Sequence, residues 1–229
     1  MGASWGVTTP ADLLARQLSR DGSRPFLTYY DDASSERVEL SIVTTSNWVA
    51  KTANYLLDEQ GIDSGDLITV RLPLHWQTAV VLLACWSAGA QVSFDDGGIL
   101  TFTTSGGVGS GEVVELSLAP MGIDFSRLVA AQPDAFAPID PSGEDLVEAA
   151  SIDLQHGARV LPVMAYDVAD GLSYGLIGPL AVDGSVVLVA NADPSTLAAH
   201  ATAERVTHTL GVDVAGLPRL DPAGATQPT

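Results

Sequence analysis

The sequence predicts an α/β fold: a mostly parallel sheet with helices on both faces and an early β-hairpin. Three observations carry this. Short apolar strand candidates alternate with helix candidates along the chain, the order that yields parallel strands joined by crossovers. Hydrophobic residues make up 46% of 229 residues and charged ones 17%, the balance of a folded chain with a core. Capping residues and glycines fall where the helical patterns start and stop.

Thr9-Pro10-Ala11-Asp12 reads as a helix start, with Thr9 as cap, Pro10 in the first turn and Asp12 at the positive helix end. Phe26–Tyr30 and Arg37–Leu40 flank the polar turn 31–36 as a hairpin. Ser41 caps a helix running to about Gln60, with Ile42, Val49, Ala53, Leu56 and Leu57 on one face and Gly61 as its stop. Leu67–Leu72 is a buried strand, and His75–Ala88 is apolar nearly all round, so that helix is expected to be covered on most sides. Strands follow at Gln91–Phe94, Ile99–Thr104 and Val113–Leu118, the last two separated by a glycine-rich run. Residues 119–143 read as loop with a turn of helix at Phe125–Ala131, and Glu144–Ser151 as a short helix. Arg159–Val163 is a strand, Val168–Ala181 a helix and Ser185–Ala190 a strand. Asp193 and Pro194 then open a final helix to about Leu210. Residues 1–211 form one expected domain, and 212–229, rich in Gly, Pro and Thr, a flexible tail.

The chain carries 10 basic and 28 acidic side chains, a formal charge of −18. Phosphate backbones and anionic lipid both require a positive surface, so neither nucleic acid nor membrane is an expected partner. The longest apolar run, Ala79–Ala90, is too short to span a bilayer. No secretory signal is visible at the start, so a cytoplasmic location is expected. The single cysteine, Cys85, sits in an apolar helix and reads as a buried, inert thiol.

Three stretches together resemble the amino-terminal part of the adenylate-forming superfamily, the acyl-CoA synthetases and related AMP-binding enzymes. The first is Arg24-Pro25-Phe26-Leu27-Thr28-Tyr29-Tyr30-Asp31 with the helix that follows the hairpin. The second runs from Gln60-Gly61-Ile62-Asp63-Ser64-Gly65-Asp66-Leu67-Ile68-Thr69-Val70 through Leu72-Pro73 into Ala79–Ala90. The third is Ala158–Ala190, with Gly171-Leu172 and then Leu180-Ala181-Val182-Asp183-Gly184-Ser185-Val186-Val187-Leu188. The resemblance covers 9–94 and 158–210; the middle, 95–157, diverges and is loop-rich.

The resemblance implies a fold whose enzymes grip ATP phosphates with a Ser/Thr/Gly-rich loop ending in Pro-Lys-Gly. Backbone N–H groups cradle the oxyanions there and a lysine adds charge. No Pro-Lys-Gly occurs: the chain has nine arginines and one lysine, Lys51, on the early helix. The Tyr-Gly-x-Thr-Glu type of motif is absent as well, and the chain stops before the family's carboxyl-terminal domain would begin. Met164-Ala165-Tyr166-Asp167 stands where the family often has an acyl-pocket histidine. The arginines show no cluster in sequence. The expectation is a degenerate relative acting as a binding or scaffold protein, leaning away from an enzyme, with no catalytic residue, cofactor or metal. Its partners would be a small carboxylate, another protein or a second copy. One alternative is an acyl-adenylate or CoA ligase component completed by a partner; another is a structural homo-oligomer subunit.

Five residues are expected to line a ligand crevice at strand ends: Thr103, Thr104, Ser105, Asp167 and Asp170. Three other patterns carry blander readings. Thr103-Thr104-Ser105-Gly106-Gly107 looks like a phosphate loop but has no following cation, and reads as a turn between strands. Gly171-Leu172-Ser173-Tyr174-Gly175 matches a nucleophile elbow, yet Ser173 falls inside a helix. His200, Glu204 and His208 recur every four residues, but the outer two lie about 12 Å apart along a helix, too far to share one ion.

Overall fold

The computed structural model describes residues 8–118, 123–138, 140–149 and 154–220. In chain order the elements are α1 (Pro10–Asp21), β1 (Pro25–Asp31), β2 (Glu36–Ser41), α2 (Ile42–Asp58), β3 (Leu67–Arg71), α3 (Trp76–Ser87), β4 (Gln91–Ser93), β5 (Leu100–Thr104) and β6 (Glu112–Leu116). There follow α4 (Ile123–Val129), α5 (Glu144–Ala149), β7 (Arg159–Pro162), α6 (Ala169–Leu172), a π-helical turn (Ser173–Ile177), α7 (Gly178–Ala181), β8 (Ser185–Ala190), α8 (Pro194–Ala203), β9 (His208–Leu210) and β10 (Arg219–Leu220).

The strands are mostly parallel, as expected, but they form two sheets. One has the order β10-β9-β7-β8-β1-β2, with β2 the antiparallel member of the early hairpin. The other has the order β4-β3-β5-β6 and is parallel throughout. The amino-terminal hairpin joins the later strands through β1, where Leu27–Asp31 pair with Val186–Ala190.

Local chemistry sets the helix ends. Thr9 and Asp12 form a reciprocal capping box on α1: the Thr9 hydroxyl accepts from the Asp12 amide, and the Thr9 amide donates to the Asp12 carboxylate at 2.9 Å. Ser41 accepts from the Thr44 amide at 3.2 Å, and Asp193 from the Ser195 amide at 2.8 Å. Helix α3 closes with Gly89 at φ +81°, which lets the Ala90 amide reach the Cys85 carbonyl and the Gly89 amide the Trp86 carbonyl.

Every residue of α3 is buried, which explains its all-round apolarity. It packs among α1, α2 and β1, with Leu82, Leu83 and Cys85 at the core.

Four expectations differ from the observed elements. Helix α8 ends at Ala203, and His208 lies in β9 instead. Arg205 takes a left-handed backbone, φ +52°, and the Val206 amide bonds back to Ala201. Strand β10 pairs with β9 inside the segment 212–229 expected as tail; residues 221–229 lie outside the described residues. The expected helix 144–151 is described as α5 over Glu144–Ala149, and residues 150–153 lie outside the description. The turn of helix expected at Phe125–Ala131 is α4, at Ile123–Val129.

Candidate functional site

The glycine run between β5 and β6 is neither a cradle nor a hairpin turn. The two strands are parallel, with Leu100 opposite Glu112 and Thr104 opposite Leu116, so residues 105–111 must return along the length of β5. They do so as a flat strap. A β-carbon at Gly107 would collide with the Thr103 side chain, one at Gly109 with Thr101, and one at Gly111 with the Ile99 backbone. Positions 99, 101 and 103 share one face of the strand. Parallel neighbours ordinarily need a crossover of a dozen or more residues; glycine at alternate positions permits this closer route. The Thr101 hydroxyl donates to the Ser110 carbonyl at 2.7 Å, and Arg71 donates to the Val108 carbonyl at 3.1 Å while pairing with Asp96 at 2.7 Å.

A cleft of about 370 Å³ lies at the carboxyl ends of strands from both sheets. The ends of β1 (Tyr29, Asp31), β7 (Val163) and β8 (Val189, Ala190, Asn191, Ala192) form one side. The chain leaving β3 (Pro73, Leu74), the cap of α3 (His75) and the chain leaving β6 (Leu118) form the other. This is the edge where parallel α/β sheets bind ligands.

His75 is 1% exposed and caps α3: its Nδ1 accepts from the Gln77 amide at 3.1 Å. Burial holds the imidazole down to about 4, so it is neutral near pH 7 and carries its proton on Nε2. That Nε2 is buried without a hydrogen-bond partner among the described residues. The ring meets Tyr29 edge-on at 4.4 Å. Burial, then the charges of Asp31 and Glu36, push the Tyr29 phenol up.

Asp31 is the one ionisable carboxylate among the described lining residues. Its oxygens accept from Asn191 Nδ2 at 2.8 Å, from the Ala33 amide at 3.0 Å and from Ser34 Oγ at 2.7 Å. Burial pushes its carboxyl up, but these donors outweigh it and hold it below the ordinary range. No cation pairs with Asp31, and no lysine or arginine lines the cleft, among the described residues.

Most of the cations are engaged elsewhere. Lys51 pairs with Asp134 at 2.7 Å and donates to the Gln132 carbonyl at 2.6 Å. Arg16, Arg20 and Arg24 do converge, although their spacing of four residues did not stand out in the sequence. Arg16 and Arg20 face the Asp183 carboxylate and Arg24 donates to the Asp183 carbonyl. Arg37 and Arg159 clasp Glu204 at 2.8 and 2.7 Å, where the Tyr30 hydroxyl also donates at 2.6 Å. Burial pushes the Glu204 carboxyl up, yet these donors bring it down to about 2.

The five crevice residues read from sequence fall in two places. Thr103 and Thr104 end β5, in the middle of the second sheet, with Thr103 under the strap, and Ser105 follows in the turn. Asp167 and Asp170 follow β7 in the first sheet, Asp167 exposed and Asp170 half-buried. None of the five lines the cleft. The residues that do line it carry no catalytic pattern in sequence. His75 alone offered a signal, as a histidine at the start of an otherwise apolar helix.

The remaining patterns have structural explanations. Ser173 opens the π-helical turn, Gly171 lies against the Ala165 carbonyl and Gly175 against Pro162. His200 pairs with Asp32 at 2.8 Å, Glu204 with its arginines, and His208 Nδ1 lies 2.9 Å from the Thr207 hydroxyl. Among the described residues no three His, Cys, Asp or Glu side chains are placed to hold a metal. Cys85 is fully buried, which pushes its thiol up. No helix among the described residues is long and apolar enough to cross a membrane.

A Mycobacterium tuberculosis protein described as a TIGR03089 family protein is 35% identical over 243 residues, covering 89% of this chain and all of that protein. The chain belongs to the TIGR03089 family. No protein-family model matches it. This family member is similar to the amino-terminal part of acyl-CoA synthetases. It is 30% identical over 123 residues to acetyl-coenzyme A synthetase of Shewanella frigidimarina, covering 54% of this chain but 19% of that enzyme. In fold it is similar to the Brucella canis acyl-CoA synthetase, with a TM-score of 0.73 and 17% identity, covering 89% of this chain and 47% of that one. The TIGR03089 chain thus spans about half the length of the synthetase whose fold it shares.

Proposed function

We propose that this TIGR03089 protein is a non-catalytic ligand-binding or scaffold protein that uses the adenylate-forming fold without its adenylation chemistry. One observation carries the reading: the cleft at the strand ends has a carboxylate, Asp31, and no lysine or arginine among its described lining residues. A triphosphate in such a cleft meets like charge on a chain of −18. The glycine run supports the same reading, because it lies flat on β5 with its close approaches used in packing. Lys51 supports it too, being tied to Asp134 and Gln132.

A second reading, favoured by the fold match over 89% of the chain, is a ligase component completed by a partner. ATP–pyrophosphate exchange with a panel of carboxylic acids, run with and without cell extract, separates the two. The binding reading predicts no exchange by the chain alone and none above the level of extract alone. Exchange in the presence of extract that disappears when this chain is omitted would establish the second reading.

A further inference from the structure

We propose that the cleft binds a small organic cation, an ammonium with an apolar body, and that Asp31 is its counter-ion. This rests on the reading of the cleft as a ligand site, and it replaces the small carboxylate suggested by the sequence.

Three features converge. Asp31 lines the cleft at the end of β1, bonded to the cleft residue Asn191 and to the Ala33 and Ser34 of its own turn, and no cation pairs with it among the described residues. The protein stabilises the ionised form with donors that are neutral, namely an amide side chain, a hydroxyl and a backbone N–H, so the negative charge is preserved and left without a counter-charge.

The second feature is that the described residues of the opposite wall carry no compensating charge. His75, the other titratable base in the cleft, is desolvated and neutral near pH 7. Its Nδ1 is occupied by the Gln77 amide, and its ring packs on Tyr29. The His75 Nε2–H is a neutral donor, so an anionic ligand would meet Asp31 with no positive charge among the described lining residues to offset the repulsion.

The third is the remaining wall. Pro73, Leu74, Leu118, Val163, Val189 and Ala192 are apolar and suit a hydrocarbon body. The Tyr29 ring lies two residues from Asp31 on the same strand and so on the same face, adding aromatic carbon to that wall. The charge of −18 raises the local concentration of small cations around the whole chain.

The test is isothermal titration calorimetry on the full chain with three probes that share a phenylalkyl body: 2-phenylethylamine, 2-phenylethanol and 3-phenylpropanoate. The proposal expects the ammonium to bind at least tenfold more tightly than the alcohol and the carboxylate to show no binding. In Asp31→Asn the ammonium should fall to the affinity of the alcohol, while the alcohol is unchanged. Equal affinity for ammonium and alcohol, binding of the carboxylate, or no binding of any probe overturns the proposal. So does an Asp31→Asn protein that keeps its ammonium affinity. Should that variant fail to fold, the three probes on the unaltered chain decide the matter alone. Pyrophosphate exchange would overturn the functional reading whatever the amine does. Absent exchange with a failed amine titration overturns the ammonium proposal alone.

Discussion

Gly111 stands so close to the Ile99 backbone that no β-carbon fits between them. It also has φ +66°, a conformation that L side chains rarely adopt. Gly111→Ala therefore combines a backbone collision with left-handed strain and should lower stability by about 3 kcal/mol or more. Gly106 is the internal control: φ is +78°, but no atom lies within 4 Å of its would-be β-carbon. Gly106→Ala should cost about 1 kcal/mol. Urea unfolding of the two variants checks the order. Equal losses would mean that the run is not a strap packed on β5.

Glu204 is the clasp between α8, β2 and β7, with side chains 9% exposed for Glu204 and 14% for Arg159. Glu204→Gln leaves the Arg159 charge without its carboxylate and should cost about 3 kcal/mol, as breaking a buried pair does. Glu39, paired with Arg37 where both side chains are well exposed, gives the contrast. Glu39→Gln should change stability by less than about 0.5 kcal/mol. Midpoints of denaturant unfolding at pH 7 measure both.

Acid should weaken the fold in two stages. His75 titrates near 6.5 when unfolded and at about 4 when folded. Between those values the unfolded chain binds the extra proton, so stability falls as pH drops from 6.5 to 4, by up to about 3 kcal/mol. Glu204, lowered from 4.5 to about 2, extends the loss below pH 4.5. His75→Asn keeps a capping side chain but removes the titration. Its stability should be flatter across pH 4–6.5 than that of the parent chain, read from unfolding midpoints along that range.

Arg205 closes α8 in a left-handed conformation, φ +52°, at an exposed position. Gly89 performs the same turn at the end of α3. Arg205→Gly removes the β-carbon penalty and should raise stability by about 0.5–1 kcal/mol. Thermal unfolding is a sufficient readout.

These two caps also show what was legible in the sequence. Where the terminating residue was glycine, at Gly61 and Gly89, the helix end was readable. Where it is Arg205, no glycine marks the stop and the sequence predicts a helix seven residues too long. Strand identities are readable from local pattern, because burial of Ile68–Val70 or Ser185–Val189 follows from their own side chains. Strand partners were not: the pairing of Leu27 with Val186 and the separation into two sheets depend on contacts across the chain. The glycine run was recognised as special, but its purpose depends on β5 and β6 being parallel. The cleft was the least legible part. Its wall gathers single residues from five strand ends and a helix cap, none of which forms a motif alone.

Among its described lining residues the cleft has no cation with which to hold a triphosphate. Calorimetric titration of the full chain with magnesium ATP tests it most directly. The account predicts no measurable heat of binding up to millimolar nucleotide. Saturable binding in the micromolar range, abolished by a substitution at a cleft residue such as Asn191→Ala, would contradict it.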